Sequence, residues 1–166
     1  MYLEEVKRSE SQLKDIELQM KDLLGKVPCA EYILSIKGIG YLSAAVFLGE
    51  LGNPDNFSHY KQIIKYAGYD PIERDSGMNI VRKRVSKKGR WLLGKFLYFM
   101  GMRVIHRNSY FRKYYDKKLK SVNRYGLPLK KKEALCAVII KLIKVIFALL
   151  RDKRLFTVKA PVLAVA

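Results

Sequence analysis

The stretch IKGIGYLSAAVFLGELG, residues 36–52, decides between two folds. Its Gly38-Ile39-Gly40 would suit either a nucleotide-binding turn after a β-strand or a tight link between two helices. Ser43 stands where the third glycine of a dinucleotide fingerprint would fall, and no alternating β pattern precedes it. The apolar run after Gly40 has helical length, from about Leu42 to Glu50, and Gly52 and Pro54 stop it. Two glycines one residue apart permit a tight turn. They also let backbone N–H groups approach a ligand at a helix N-terminus, where the dipole favours phosphate. The expectation is a helix–hairpin–helix-like motif that reads nucleic-acid backbones through Gly38 and Gly40. A plain turn between packed helices fits the same residues.

Helical spacing continues on both sides. Upstream, Tyr2, Ser9, Ile16 and Leu23 alternate with Val6, Leu13, Met20 and Val27 at a strict four-three spacing. That heptad predicts a coiled-coil connector over residues 1–27 and a homo-oligomer formed through it. An amphipathic helix packed on its own domain is the alternative. Downstream, residues 57–68 predict a short helix capped by Ser58 and stopped by Gly68. Trp91, Leu92, Phe96, Leu97, Phe99, Met100, Val104 and Ile105 form one broad apolar helical face. Asn108 or Ser109 caps a basic helix, and a last helix runs from about Lys131 to Arg151. The expected fold is all-α: a connector at 1–27, a helical domain at 29–156 and a loose tail at 157–166.

Charge narrows the partner. The 166 residues carry a net charge of +18, and the excess is local. Residues 1–77 hold 9 basic and 12 acidic side chains, whereas residues 78–132 hold 18 basic and one acidic, Asp116. Such a block predicts a polyanion, nucleic acid before a membrane surface. The candidate contacts are Arg82, Lys83, Arg84, Lys87, Lys88 and Arg90 in the loop, with Arg112, Lys113 and Lys117 on the basic helix. Basic residues interleaved with Tyr and Trp argue against a membrane stripe. Lys141 and Lys144 interrupt the apolar run 134–150, so a core helix is expected there, not a membrane span. The polar, acidic N-terminus resembles no signal peptide, and Cys29 and Cys136 read as buried thiols of a reducing, cytoplasmic compartment.

The residues bear little of the chemistry of a self-contained hydrolase. Two histidines, His59 and His106, lie far apart, no carboxylate cluster is evident, and no metal ligands are expected. What remains is serine beside arginine in DSGMNIVRKRVSKKGR, residues 75–90. A serine hydroxyl attacking a phosphodiester needs its developing charge stabilised, and Arg82, Arg84 and Arg90 offer bidentate donors. Ser76 and Ser86 are both candidates by type. Ser86 has a structural use as the cap of the following helix.

Five segments in order, IKGIGYLSAAVFLGELGNPDNF, YAGYDPIERDSG, RVSKKGRWLLGKFLY, HRNSYFRKYYDKKL and KKEALCAVIIKLIKVIFALLR, resemble the C-terminal transposase domain of the insertion-sequence 110 family. The resemblance covers about residues 33–152. It implies a prokaryotic, nucleoid-associated DNA recombinase of mobile elements that works with a structured guide RNA. It implies a RuvC-like N-terminal domain whose four acidic residues hold Mg²⁺, joined through a coiled coil. It also implies a serine nucleophile in a Ser-Gly after the Y-A-G-x-x-P turn, here Ser76 with Gly77. No segment of this sequence matches the metal-binding domain, so the chain alone is expected to be inactive. The family's basic turn before the last helix is YGLPL here, although Lys130, Lys131 and Lys132 follow. A non-catalytic basic module for DNA or RNA is the other reading of the same charge.

Overall fold

Periodic apolar residues become seven α-helices among the described residues, which in this computed structural model are 2–72, 84–86, 88–122 and 126–158. They are α1 (Tyr2–Gly25), α2 (Ala30–Leu34), α3 (Tyr41–Leu51), α4 (Tyr60–Tyr66), α5 (Trp91–Arg107), α6 (Ser109–Leu119) and α7 (Lys131–Asp152). A 3₁₀ turn spans Pro54–Asn56. Two short strands, β1 (Pro71–Ile72) and β2 (Arg84–Val85), pair antiparallel with Pro71 opposite Val85. The fold is all-α, with this small two-stranded ribbon beside the helices.

The core is organised around α7. Leu135, Val138, Ile139, Leu142, Ile143 and Ile146 recur at helical spacing and are all buried. Burying each such aliphatic side chain stabilises by about 1.5–3 kcal/mol. Helices α2, α4, α5 and α6 all pack on α7. From α5 come Leu93, Leu97, Met100 and Val104, and from α6 comes Phe111. At the α5–α7 crossing Gly101 admits Ile139, whose Cγ1 would lie 2.6 Å from a β-carbon at that position. A small residue is what allows so close a crossing.

Helix α1 behaves differently. It is one continuous helix of 24 residues, about 36 Å long at 1.5 Å per residue. Its seam residues Tyr2, Val6, Leu13, Ile16 and Leu23 are exposed, Leu13 by 60%. Among its residues only Leu24 is buried, where the end of the helix meets α3. The stripe is therefore not packed on its own domain.

The cap of α4 differs from the sequence expectation, and that of α6 agrees with it. His59, not Ser58, is the N-cap of α4: its Nδ1 accepts from the Lys61 N–H at 3.2 Å, while Ser58 Oγ donates to Gln62. Imidazole offers the same lone pair that a serine cap offers. Asn108 caps α6, accepting from the Tyr110 N–H at 3.0 Å. At the other end, the Phe156 N–H donates to Ser35 Oγ at 2.8 Å, and its ring stacks on Phe111. Cys29 and Cys136 are free and half-buried rather than fully buried. Burial raises the pKa of both thiols.

Candidate nucleic-acid interface

The α2–α3 hairpin is built on Gly38 and Gly40. Gly38 has φ +109°, a conformation that side-chain-bearing residues rarely adopt. A β-carbon there would also stand 3.1 Å from the carbonyl oxygen of Arg103 and from Cα of Val104. Gly38 thus seats the turn directly on the backbone of α5. Gly40 is the N-cap of α3 and supplies no side chain to cap its first N–H groups. A β-carbon on Gly40 would lie 3.6 Å from the Arg103 guanidinium, and Lys21 of α1 stands over the Tyr41 ring at 5.0 Å. Arg103 was not evident from sequence. It is one exposed charge on an amphipathic helix, and only the folded contact places it beside the glycines.

The second basic surface lies where the loop returns to the helices. Ser86 N–H donates to the Asp70 carbonyl and Arg90 N–H to the Tyr66 carbonyl, both at 2.9 Å. Between them Gly89 packs so closely that a β-carbon would fall 2.5 Å from the Tyr66 carbonyl oxygen and the Gly68 nitrogen. This anchoring forms an open groove of about 560 Å³ lined by Phe57, Gln62, Lys65, Tyr66, Lys88 and Arg90, among others. Arg90 Nε donates to Glu50 Oε2 at 2.7 Å, and its guanidinium sits 5.9 Å from the Tyr66 ring centroid. The Glu50 carboxylate raises the Arg90 pKa further through that hydrogen bond and its charge. Lys65 and Tyr66 join the groove, a placement that spacing along the sequence does not signal.

Ser86 does not cap α5. The N-cap is Arg90, and Ser86 Oγ instead accepts from the Lys88 N–H at 3.1 Å, closing a local turn. The helix starts later because the chain must first seat Gly89 against α4. Ser76, Arg82, Lys83 and Lys87 lie outside the described residues, and Arg84 is placed by its backbone alone in β2. Lys88 and Arg90 come together in the groove. Arg112, Lys113 and Lys117 lie on α6, where Arg112 Nε is held by the Asp116 carboxylate at 3.1 Å. Lys113 and Lys117 are exposed.

A third cluster sits at the far end of α5. Arg112, Lys131, Lys132, His106, Tyr98 and Tyr115 line a groove of about 240 Å³ with an apolar floor. Helix α5 therefore carries all three basic surfaces, at its start, beside the hairpin and at its end. Among the described residues there is no group of three or more His, Cys, Asp or Glu able to hold a metal ion. No helix among them is long and apolar enough to cross a membrane.

This arrangement falls within a known sequence pattern. Residues 30–116, from the start of α2 into α6, match the model of the Transposase IS116/IS110/IS902 family. The chain belongs to that transposase family. It is 30% identical over 157 residues to the Insertion element IS116 uncharacterized 44.8 kDa protein of Streptomyces clavuligerus, covering 92% of this chain and 37% of that protein. It is 25% identical over 150 residues to the Insertion element IS110 uncharacterized 43.6 kDa protein of Streptomyces coelicolor, covering 90% and 36%. It is 27% identical over 154 residues to the Insertion element IS900 uncharacterized 42 kDa protein of Mycobacterium paratuberculosis, covering 92% and 37%. The chain thus spans a little over a third of the length of these insertion-element relatives.

Proposed function

We propose that this chain is the DNA-binding helical part of a transposase, contributing a serine nucleophile to strand exchange together with a metal-binding domain outside these residues. The observation that carries the DNA-binding part is the placement of cations at helix starts. Arg90 is the N-cap of α5, and Lys130, Lys131 and Lys132 open α7. A helix N-terminus already carries partial positive charge, so cations there build a positive field that favours phosphate, with Glu50 at α5 and Glu133 at α7 offsetting part of it. Phosphate is the anion expected of a transposase partner, and the uncapped start of α3 beside Arg103 offers a further place for it. In this reading the α2–α3 hairpin works as a helix–hairpin–helix contact to the DNA backbone.

The nucleophile in this reading is Ser76, from the family resemblance. Divalent metal would be held by the other domain, and a structured guide RNA would pair with the DNA. The exposed seam of α1 supports homo-oligomer formation through residues 1–27, since an apolar stripe at heptad spacing favours a partner helix.

Anisotropy of a labelled DNA duplex against the 166-residue chain tests the binding. With six to ten phosphate contacts, affinity falls by roughly 10³–10⁵ between 50 and 200 mM salt. A flat salt response refutes DNA binding. For the chemistry, Ser76→Ala and Ser86→Ala are compared in the full-length transposase for covalent protein–DNA adducts. An adduct that survives Ser76→Ala removes the assignment. Salt-dependent binding with no adduct in the unmodified full-length protein leaves a non-catalytic module.

A further inference from the structure

Helix α5 shows an uncovered face that runs from its start into the third basic surface. Trp91, Lys95, Tyr98, Met102 and His106 recur at four, three, four and four residues, which places them on one side of the helix. Trp91 is 73% exposed, and Tyr98 and the neighbouring Phe99 are each more than a third exposed. Large aromatic rings in such a row, outside the core, are uncommon on a face that meets only water. Lys95 Nζ stands 5.7 Å from the Trp91 ring centroid, so the ring is flanked by a cation. The row ends in the 240 Å³ groove, where Tyr98, Met102 and His106 meet Arg112, Lys131 and Lys132. Among the described residues no acidic side chain lines that groove. Asp116 holds the Nε of the groove's Arg112.

We propose that this aromatic row on α5, with the Arg112–Lys131–Lys132 groove at its end, is a binding track for single-stranded DNA. It rests on the DNA reading above and extends it from duplex backbone to unpaired bases. Stacking on rings accepts any base, because every base has a π face, and cations beside the rings take the phosphates. From Trp91 to His106 the helix rises about 22 Å, the length of roughly six nucleotides if they keep the ~3.4 Å spacing of a stacked duplex strand. The charge of the groove selects a polyanion over an apolar peptide. The exposed rings select unpaired bases over a duplex, whose bases are already stacked on each other. Strand exchange creates such unpaired segments.

Trp91 is the chain's one tryptophan, so its fluorescence reports this face alone. Titration with a short oligodeoxythymidylate at fixed salt is expected to quench it saturably. A duplex of the same length should leave it nearly unchanged while still binding by anisotropy. Trp91→Ala is expected to weaken binding of the labelled oligonucleotide roughly five- to 150-fold, and Trp91→Phe to restore most of that loss. Trp91 is largely exposed, and circular dichroism of both variants checks the fold. Lys131→Ala with Lys132→Ala should lower the single-strand salt slope by about 1.4, at ~0.7 per lost contact. Oligonucleotide binding without quenching, or unaffected by Trp91→Ala, overturns the track while leaving duplex binding intact. Equal quenching by a duplex overturns the selection for unpaired bases, and tighter binding of the matching ribo-oligonucleotide overturns the assignment to DNA. Absence of binding to both duplex and single strand would instead refute the broader DNA reading.

Discussion

Arg90 Nε and Glu50 Oε2 lie 2.7 Å apart, tying the start of α5 to the end of α3 across forty residues of sequence. The pair sets a carboxylate against a cation that would otherwise face phosphate unopposed. Glu50→Gln keeps the shape and removes the charge. Duplex affinity is expected to rise several-fold, and the salt slope to steepen by up to about 0.9, one phosphate contact. Arg90→Ala should move both quantities the other way. Anisotropy titrations at three salt concentrations decide it.

Two glycines should respond to alanine with opposite signs. At Gly89 the β-carbon would meet the backbone of Tyr66, Ala67 and Gly68 at 2.5–2.8 Å. Those atoms belong to the end of α4 and cannot simply rotate away. Gly89→Ala is expected to destabilise by about 1–3 kcal/mol in urea unfolding, the usual range for overpacking. Gly49, within α3, has nothing within 4 Å of such a carbon. Gly49→Ala should stabilise by about 0.5–1 kcal/mol through helix propensity.

Tyr69 provides a pH test. Its hydroxyl donates to the Gly94 carbonyl at 3.1 Å, and burial pushes its pKa well above the ordinary tyrosine value. The folded state then holds the proton more tightly than the unfolded state does. That contribution is complete below the unfolded pKa near 10 and is lost as pH rises through the folded value. Tyr69→Phe is expected to lower stability at pH 8 by about 1 kcal/mol, the hydrogen bond, and to flatten the decline above pH 10. Urea midpoints at pH 8, 10 and 11 measure both.

The α1 seam should govern association and little else. Val6, Leu13 and Ile16 are exposed, so replacing them with glutamate removes no contact within the helical domain. Sedimentation is expected to show the variant as a single chain where the unmodified protein is an oligomer. The urea midpoint of the helical domain should stay within about 0.5 kcal/mol equivalents, as for other surface changes. An unchanged mass would rule out pairing through α1.

Much of the fold was written in apolar spacing. The buried residues of α5 and α7 follow a 3.6-residue period, and Pro54, Gly52 and Gly68 punctuate where expected. The caps were less legible. Histidine can imitate serine at the start of α4, and the start of α5 was set by the long-range seat of Gly89, which no local pattern announces. The basic loop was legible as a charge block, and Lys88 and Arg90 do meet in one groove. Arg103 beside Gly40, and Lys65 with Tyr66 beside Arg90, were not. Each depends on contacts between residues far apart in the chain, and spacing along a sequence does not encode those distances.

The hairpin also has a mechanical meaning. One end of the described chain reaches it through Leu24 and Lys21 of α1, and the other is pinned to it by the hydrogen bond from Phe156 to Ser35. A load on the exposed length of α1 would therefore enter the domain beside the α2–α3 turn. From there Gly38, resting on the α5 backbone without a cushioning side chain, passes the load into the helix that carries the basic surfaces. In that geometry the 24-residue helix is placed as a crank would be, with the turn between two glycines as its axle.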